Sequence, residues 1–261
     1  MINHTFAICA YKESEFLEEC IMSLKNQTIQ SKIIICTSTD NEYIRGIAEK
    51  YELPLYINKG ESGITQDWNF ALSCVKTKYA TIAHQDDTYE PKYTRKVIGA
   101  MRKSEKPLIA FTDYYELRNG NKVKDNTLLK IKRIMLLPLR VKPLWKSVFV
   151  RRRVLSLGNA ICCPSVTFCL KNVNRPVFIH GFRSNEDWQA WEKLSKLRGE
   201  FVYINAPLMC HRIHEGSETS QIIGDNARSK EDYEMYKCFW PDIIAKFLSK
   251  AYANSEKSNK L

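Results

Sequence analysis

The sequence predicts an α/β protein with a mostly parallel central sheet flanked by helices and a helical extension at its C-terminal end. Three observations carry this. Strand and helix signals alternate from His4 to Leu117, the order that builds parallel strands through crossover helices. "SKIIICTS" is a continuous apolar run, as expected of a strand covered on both faces. The chain has 261 residues, 44% of them hydrophobic, enough for a large core. No stretch approaches the ~20 apolar residues of a membrane span.

The elements follow in order. "HTFAICAY" reads as the first strand. The N-terminus has no basic lead, long apolar segment or small-residue cleavage site, so a strand is expected there and not a signal peptide. "SEFLEECIMSLKNQ" has helical spacing, with Phe16, Cys20, Ile21 and Leu24 on one face and Ser14 as the expected N-cap. After "SKIIICTS" come a helix, "NEYIRGIAEKYE", and a strand, "LPLYINK". "GITQDWNFALSCVK" is a helix opened by Gly63, and "YATIAHQDD" is a strand that ends in two acids. "EPKYTRKVIGAMRKS" is a helix with Pro91 near its first turn, and "PLIAFTDYYEL" is again a strand. From Asn126 to Arg153 the chain is basic and apolar by turns. "NAICCPSVTFCL" is strand-like, "NEDWQAWEKLSKL" starts a helix with acids in its first turn, and "GEFVYINAPLMCHRIHEG" is a strand with a polar end. Two helical pieces split by Pro241 follow, and "NSEKSNKL" is expected to fray. No internal repeat is evident.

Charge is unevenly spread. The net charge is +11, and no acid occurs between Asp125 and Glu186, where twelve Lys and Arg fall. Such a surface suits an anionic partner: nucleic acid, an anionic membrane or a phosphorylated substrate. Lys130 to Arg153, with nine basic residues among Leu, Ile, Trp and Phe, is expected to touch an anionic membrane peripherally, or else to be a solvated basic face beside the substrate cleft. Nine cysteines without a CxxC pair read as reduced thiols of a cytoplasmic protein.

In parallel sheets ligands sit beyond the carboxyl ends of the strands. Tyr11 to Glu13, Thr37 to Asp40, and Asp86 with Asp87 lie at those ends and should converge. Adjacent carboxylates suit a hard divalent cation shared with phosphate oxygens, although a turn acid followed by a helix cap also explains "DDTYEP". Glu186 and Asp187 open a helix, where the dipole favours acids, and a carboxylate there also suits a general base. "CHRIHEGSET" gathers His211, Arg212 and His214 after a strand, groups fit for a metal or a phosphate. In "GITQDWNFAL", Asp67 and Asn69 face either a polar ligand or solvent.

These segments, in this order, resemble family 2 glycosyltransferases of the GT-A fold, over roughly residues 4 to 220. The resemblance implies a catalytic domain at 1–224, with a nucleotide-sugar half at 1–115, Rossmann-like, and an acceptor half at 116–224. Residues 225–261 form the helical extension. "AICAYKESEFLEECIMSLKNQT" resembles the family's opening, where Ala10, Tyr11 and Glu13 border the nucleotide and Tyr11 packs on its base. Thr39 and Asp40 stand where the family reads the base. "GITQDWNFAL" resembles the glycine-led helix over the sugar nucleotide, which makes Gly63, Asp67, Trp68 and Asn69 substrate contacts. "AHQDD" resembles the metal motif. Its usual first Asp falls on His84, and Trp68 stands where many members have Arg. Metal and ribose contacts carry to Asp86 and Asp87, with Asp87 preferred as the direct ligand. "NEDW" resembles the pair in which Asp187 is the base of inverting members and Glu186 its neighbour. "RIHEGSET" resembles the late segment in which Arg212 meets substrate and His214 completes the metal site.

The resemblance implies an inverting, metal-dependent glycosyltransferase of hexosyltransferase type that uses Mn²⁺ or Mg²⁺. It implies a nucleoside-diphosphate sugar as donor, a UDP-sugar by preference, and a saccharide or lipid-linked saccharide as acceptor. The expected role is surface polysaccharide or glycoconjugate synthesis in the cytoplasm, at the inner face of the membrane. A sugar nucleotidyltransferase is the alternative, but "CAYKESEF" lacks the glycine-rich phosphate loop. A non-enzymatic nucleic-acid-binding protein is the other, and no nucleic-acid motif supports it.

Overall fold

The computed structural model describes residues 2–214 and 227–257. The first half alternates as β1 (His4–Ala10), α1 (Leu17–Lys25), β2 (Lys32–Thr37), α2 (Glu42–Lys50), β3 (Leu55–Ile57), α3 (Ile64–Cys74) and β4 (Tyr79–His84). Its strands are parallel in the order β3-β2-β1-β4, with Ile8 paired to Ile35 on one side and to Ala83 on the other. Phe6, Ala7, Ile8, Ile35 and Ile82 are fully buried, which accounts for apolar runs without alternation.

β5 (Thr88–Tyr89), α4 (Tyr93–Arg102), β6 (Pro107–Arg118), β7 (Asn121–Val123), β8 (Val166–Cys169) and β9 (Glu200–Ile213) complete a nine-stranded sheet. Its path continues β4-β8-β6-β9-β5, with β7 paired to β6. Parallel pairing thus rules the first half and the β6–β9 pair. β8 runs antiparallel to both β4 and β6 and joins the halves into one sheet. Register shifts near Thr112 and Asp113 mark irregularities between β6 and β9, and such bulges bend a strand. The far end of β9 then meets β5, with Cys210 opposite Thr88. That pairing carries His211 and Arg212 to the acidic turn after β4.

The basic middle segment forms a helical layer. Asn126 caps α5 (Thr127–Met135), its Oδ1 accepting from Leu129 N at 2.8 Å. Two 3-10 turns follow, Leu137–Arg140 and Lys142–Lys146, each with a proline in its first turn. Ser147 caps α6 (Val148–Leu155). Trp145 is buried and donates to Leu139 O at 2.7 Å. Arg151 is also buried. It donates to the carbonyls of Gly199 and Leu197, both at 2.8 Å, and burial lowers its pKa to about 10.

α7 (Glu186–Ser195) carries Trp188 and Trp191 into the core. The C-terminal helices, α8 (Ala227–Lys237) and α9 (Asp242–Lys257), pack on it. Tyr236 meets the Trp188 ring at 5.2 Å and Tyr252 meets it at 5.9 Å.

One local expectation changes. Ser14 is not the N-cap of α1, which starts at Leu17. Its carbonyl accepts from Leu17 N at 3.2 Å and its hydroxyl from Phe16 N at 3.4 Å. The chain uses 11–16 to turn toward β4 before the helix begins. Of the tail expected to fray, 254–257 fall within α9, and 258–261 lie outside the described part. Of the nine cysteines, Cys20, Cys36, Cys163, Cys169 and Cys210 are buried.

Candidate active site

The three polar clusters at the strand ends do meet. The Gln85 side chain accepts from Tyr11 N and donates to Tyr11 O, both at 2.9 Å. Lys12, in the left-handed region at φ 53°, donates its N–H to Thr39 Oγ1 at 2.6 Å. This leaves the Tyr11 ring exposed beside the sheet edge, where Glu13 is exposed too. Ala10, the last residue of β1, is buried beneath. Asp40 lies further out, in an ion pair with Arg45.

The acidic turn follows β4. Asp87 is fully buried. One of its oxygens accepts from Arg212 N at 2.9 Å and faces His211 Nδ1 at 3.1 Å, while the other lies 3.8 Å from His84 Nδ1. Asp86 meets His214 Nε2 at 3.0 Å, and these two side chains are 20% and 27% exposed. Arg212 locks the turn from β9. Its Nε donates to Asp86 O at 2.8 Å, its guanidinium lies 4.1 Å over the Phe16 ring, and it reaches Glu19 at 2.5 Å.

These surroundings set the charges. Burial pushes the Asp86 carboxyl up, but the His214 hydrogen bond and the nearby His84 and His211 charges bring it below its ordinary value. Burial pushes His211 down, and the Asp87 carboxylate more than reverses that. An acid held this way stays anionic.

The turn fits a divalent cation. Ligand atoms of His84, Asp86 and Asp87 lie within 4.8 Å of one another. The buried His84 Nε2 has no hydrogen-bond partner among the described residues, and Nδ1 is the nitrogen that faces Asp87. Asp87, the preferred direct ligand, is buried with its carboxylate bonded to β9, and Asp86 is the more accessible acid. Asp86 and His214 are the accessible pair.

α3 supplies the wall. Trp68 stacks on His84 at 5.3 Å, with planes 17° apart. The two departures from the family pattern therefore touch each other. Asp67 accepts from Ser38 at 2.6 Å and Asn58 at 2.8 Å, which fixes the loops after β2 and β3. Asn69 accepts from Val177 N and Phe178 N and donates to Phe178 O. Both side chains brace loops, so a direct ligand role for either would require new contacts. A cavity of about 280 Å³ is lined by Gly63 to Gln66, by residues 180–183 and by Glu186. It brings Gly63 and Glu186 together, one helical turn from Trp68.

Asp187 sits at the start of α7, half-buried. Asn159 Nδ2 donates to it at 2.8 Å, as does Trp188 N at 2.7 Å. Burial raises its pKa, against the pull of those bonds and of the Lys132 and Arg228 charges. The basic surroundings therefore act in the expected direction, but burial outweighs them. Burial likewise raises the Cys162 thiol, and the charges of Asp87 and Asp187 both add to the effect.

Several contributors escaped the sequence reading. Gln85 ties Tyr11 to the acidic turn, and its place inside "HQDD" was the available signal. Phe16, Glu19 and Asn159 had none. Glu231 of α8 had none either. It accepts from Arg183 N at 2.7 Å, from Ser184 N at 2.9 Å and from Asn185 N at 3.2 Å, and so fixes the chain just before Glu186. Of "RIHEGSET", residues 215–219 lie outside the described part.

A parallel first half and a mixed second half share one sheet, with a His-Asp turn at the end of β4. The sequence matches glycosyl transferase family 2 over residues 5–176, and the chain belongs to that family. An uncharacterized glycosyltransferase of Haemophilus influenzae is 23% identical over 233 residues, covering 82% of this chain. This chain spans 66% of that relative's length. Among solved structures, S. aureus TarS 1–349 in complex with UDP-GlcNAc is similar with a TM-score of 0.63 at 14% identity. The match covers 99% of this chain and 74% of that one. The mannosyltransferase PcManGT from Pyrobaculum calidifontis, in complex with GDP-Man and Mn²⁺, also gives 0.63, at 10% identity, with 99% and 76% covered. The fold is GT-A.

Proposed function

We propose that the chain transfers a sugar from a nucleoside-diphosphate sugar to an acceptor hydroxyl, with inversion at the anomeric carbon. The observation that carries this is the acidic turn after β4, where ligand atoms of His84, Asp86 and Asp87 lie within 4.8 Å of one another and Asp86 meets His214 at 3.0 Å. Tyr11 would pack on the base, and Ala10, Glu13, Thr39 and Asp40 would border the nucleotide. His84 and Asp86 would hold a divalent cation together with Asp87, which also fixes Arg212 and His211, and His214 would join them beside Asp86. Two imidazoles in the set favour Mn²⁺ over Mg²⁺, which prefers oxygen ligands.

A cation there would stabilise the charge that builds on the departing diphosphate. Asp187 takes the acceptor's proton as its oxygen attacks the face opposite the leaving group. A carboxyl raised by burial suits a base better than an ordinary aspartate does. Glu186, on the cavity wall, positions the sugar or acceptor. One displacement inverts the centre, and no covalent enzyme intermediate forms. The acceptor is a saccharide, free or lipid-linked, of the kind used in surface polysaccharides. Reduced cysteines support work in the cytoplasm.

UDP-, GDP- and CDP-sugars, each tested by thermal shift with and without Mn²⁺, check this reading. A true donor at 100 times its dissociation constant adds about 2.7 kcal/mol of stability, and Mn²⁺ should be needed for most of it. A UDP-sugar is the expected hit. No stabilisation by any of the three classes would refute the proposal.

A further inference from the structure

Among the described residues fifteen large apolar side chains are exposed, and six of them lie between Lys130 and Arg153. They are Ile131, Ile134, Leu137, Val141, Val148 and Phe149, the last 71% exposed. α5 contacts the first 3-10 turn, the two turns contact each other, and α6 contacts both. The six side chains therefore belong to one helical layer. They are not leftovers of a poorly formed core, because the layer has a buried side of its own in Leu129, Leu136, Leu139, Trp145, Val154 and Leu155.

The charge of this layer has one sign. Lys130, Arg140, Lys142, Lys146 and Arg153 are exposed on it, and the sequence holds no acid from 126 to 185. A helix that faces water usually mixes charges of both signs and hides its apolar side chains. Here basic heads and apolar bodies interleave on a surface with no anion of its own. That is the composition of a helix lying in the plane of an anionic bilayer surface. Nucleic acid fits less well. Phosphate binding gains nothing from exposed Ile and Val, and base stacking calls for aromatic rings, of which Phe149 is the one exposed example in this segment.

The layer also reaches the candidate site. Lys132, on the same α5, donates to the Tyr114 hydroxyl at 3.0 Å, and its charge bears on Asp187 and His211. Tyr114 in turn meets the His211 ring edge-on at 6.3 Å.

We infer that α5, the two 3-10 turns and α6 seat the protein on an anionic lipid surface. Phe149 and its apolar neighbours enter the headgroup region, and the lysines and arginines meet lipid phosphates. An acceptor on a lipid carrier would then approach Asp187 from the membrane side. That last clause rests on the proposed function; the seating does not.

Flotation of the full chain with vesicles tests it. Phosphatidylcholine vesicles with about 30% phosphatidylglycerol should carry the protein at about 0.1 M salt, and pure phosphatidylcholine should not. Lys142→Gln with Lys146→Gln should weaken binding by roughly 25-fold, about fivefold per charge removed. Ile134→Ser with Phe149→Ser should weaken it by more than about tenfold at the same salt. All four side chains are exposed, so melting temperatures should not move. Equal flotation with neutral vesicles, no flotation, or variants that float like the parent would each overturn the inference. Salt-sensitive binding to RNA that ignores the apolar pair and exceeds vesicle binding would do the same. Donor binding is measured separately. Flotation without donor binding would leave the seating intact and refute the proposed function, and the reverse result would do the opposite.

Discussion

The molecule treats its two acidic centres in opposite ways. Asp86 sits among imidazoles, and His214, His84 and His211 hold its carboxyl below the ordinary range in spite of burial. Asp187 is also enclosed, but its helpers are one amide, one backbone N–H and more distant cations, and its carboxyl ends above the ordinary range. Compensation, and not burial alone, decides the sign. In the proposed function the first acid stays anionic and holds a cation, and the second accepts a proton. A sequence scan sees two acidic dipeptides, "DD" and "ED", and cannot see the difference.

The largest expected effect on donor binding is at Asp86. Asp86→Asn should weaken Mn²⁺-dependent donor binding by roughly 100-fold while the fold stands, as titration calorimetry with and without Mn²⁺ would show. Asp87→Asn should act on the fold instead. Its buried carboxylate holds Arg212 N and His211, so the loss should be about 1–3 kcal/mol of stability in urea unfolding. If Asp87→Asn keeps full stability and alone abolishes metal binding, the assignment of the pair is reversed.

Glu231→Ala sharpens the other centre. The carboxylate accepts from three successive backbone N–H groups ahead of α7. Its removal should cost about 2 kcal/mol and lower turnover, with donor affinity unchanged. Unchanged turnover would show that α8 does not position Asp187. The smallest effect is at Asn159, whose hydrogen bond lowers the Asp187 pKa. Asn159→Ala should raise that pKa further. A base works only when ionised, so activity should fade at a higher pH than in the parent as pH drops. An acid limb that stays put or moves down would contradict this.

Much of the first half was legible because local signals and tertiary structure agree there. "SKIIICTS" is buried on both faces, and Gly63 opens α3 as expected. The acid-free middle was not legible as structure. Its helices are short, two turns are 3-10, and their caps, Asn126 and Ser147, sit among basic residues that hide the period. Candidate site residues were found where a motif is contiguous. Those that act across the chain were missed: Glu19 lies 193 residues from its partner Arg212, and Asn159 reaches Asp187 from a loop. Trp68 and His84 read as two separate departures, and the stack between them shows that the two touch.

The most direct test sets the two centres side by side. Donor affinity with and without Mn²⁺, together with turnover, is measured for Asp187→Asn and Asp86→Asn. Asp187→Asn should keep the parent's Mn²⁺-dependent donor affinity while turnover falls by roughly 10² to 10⁴. Asp86→Asn should lose the Mn²⁺-dependent part of that affinity. Transfer by Asp187→Asn at near the parent rate would contradict the account, and so would equal loss of donor affinity in both variants.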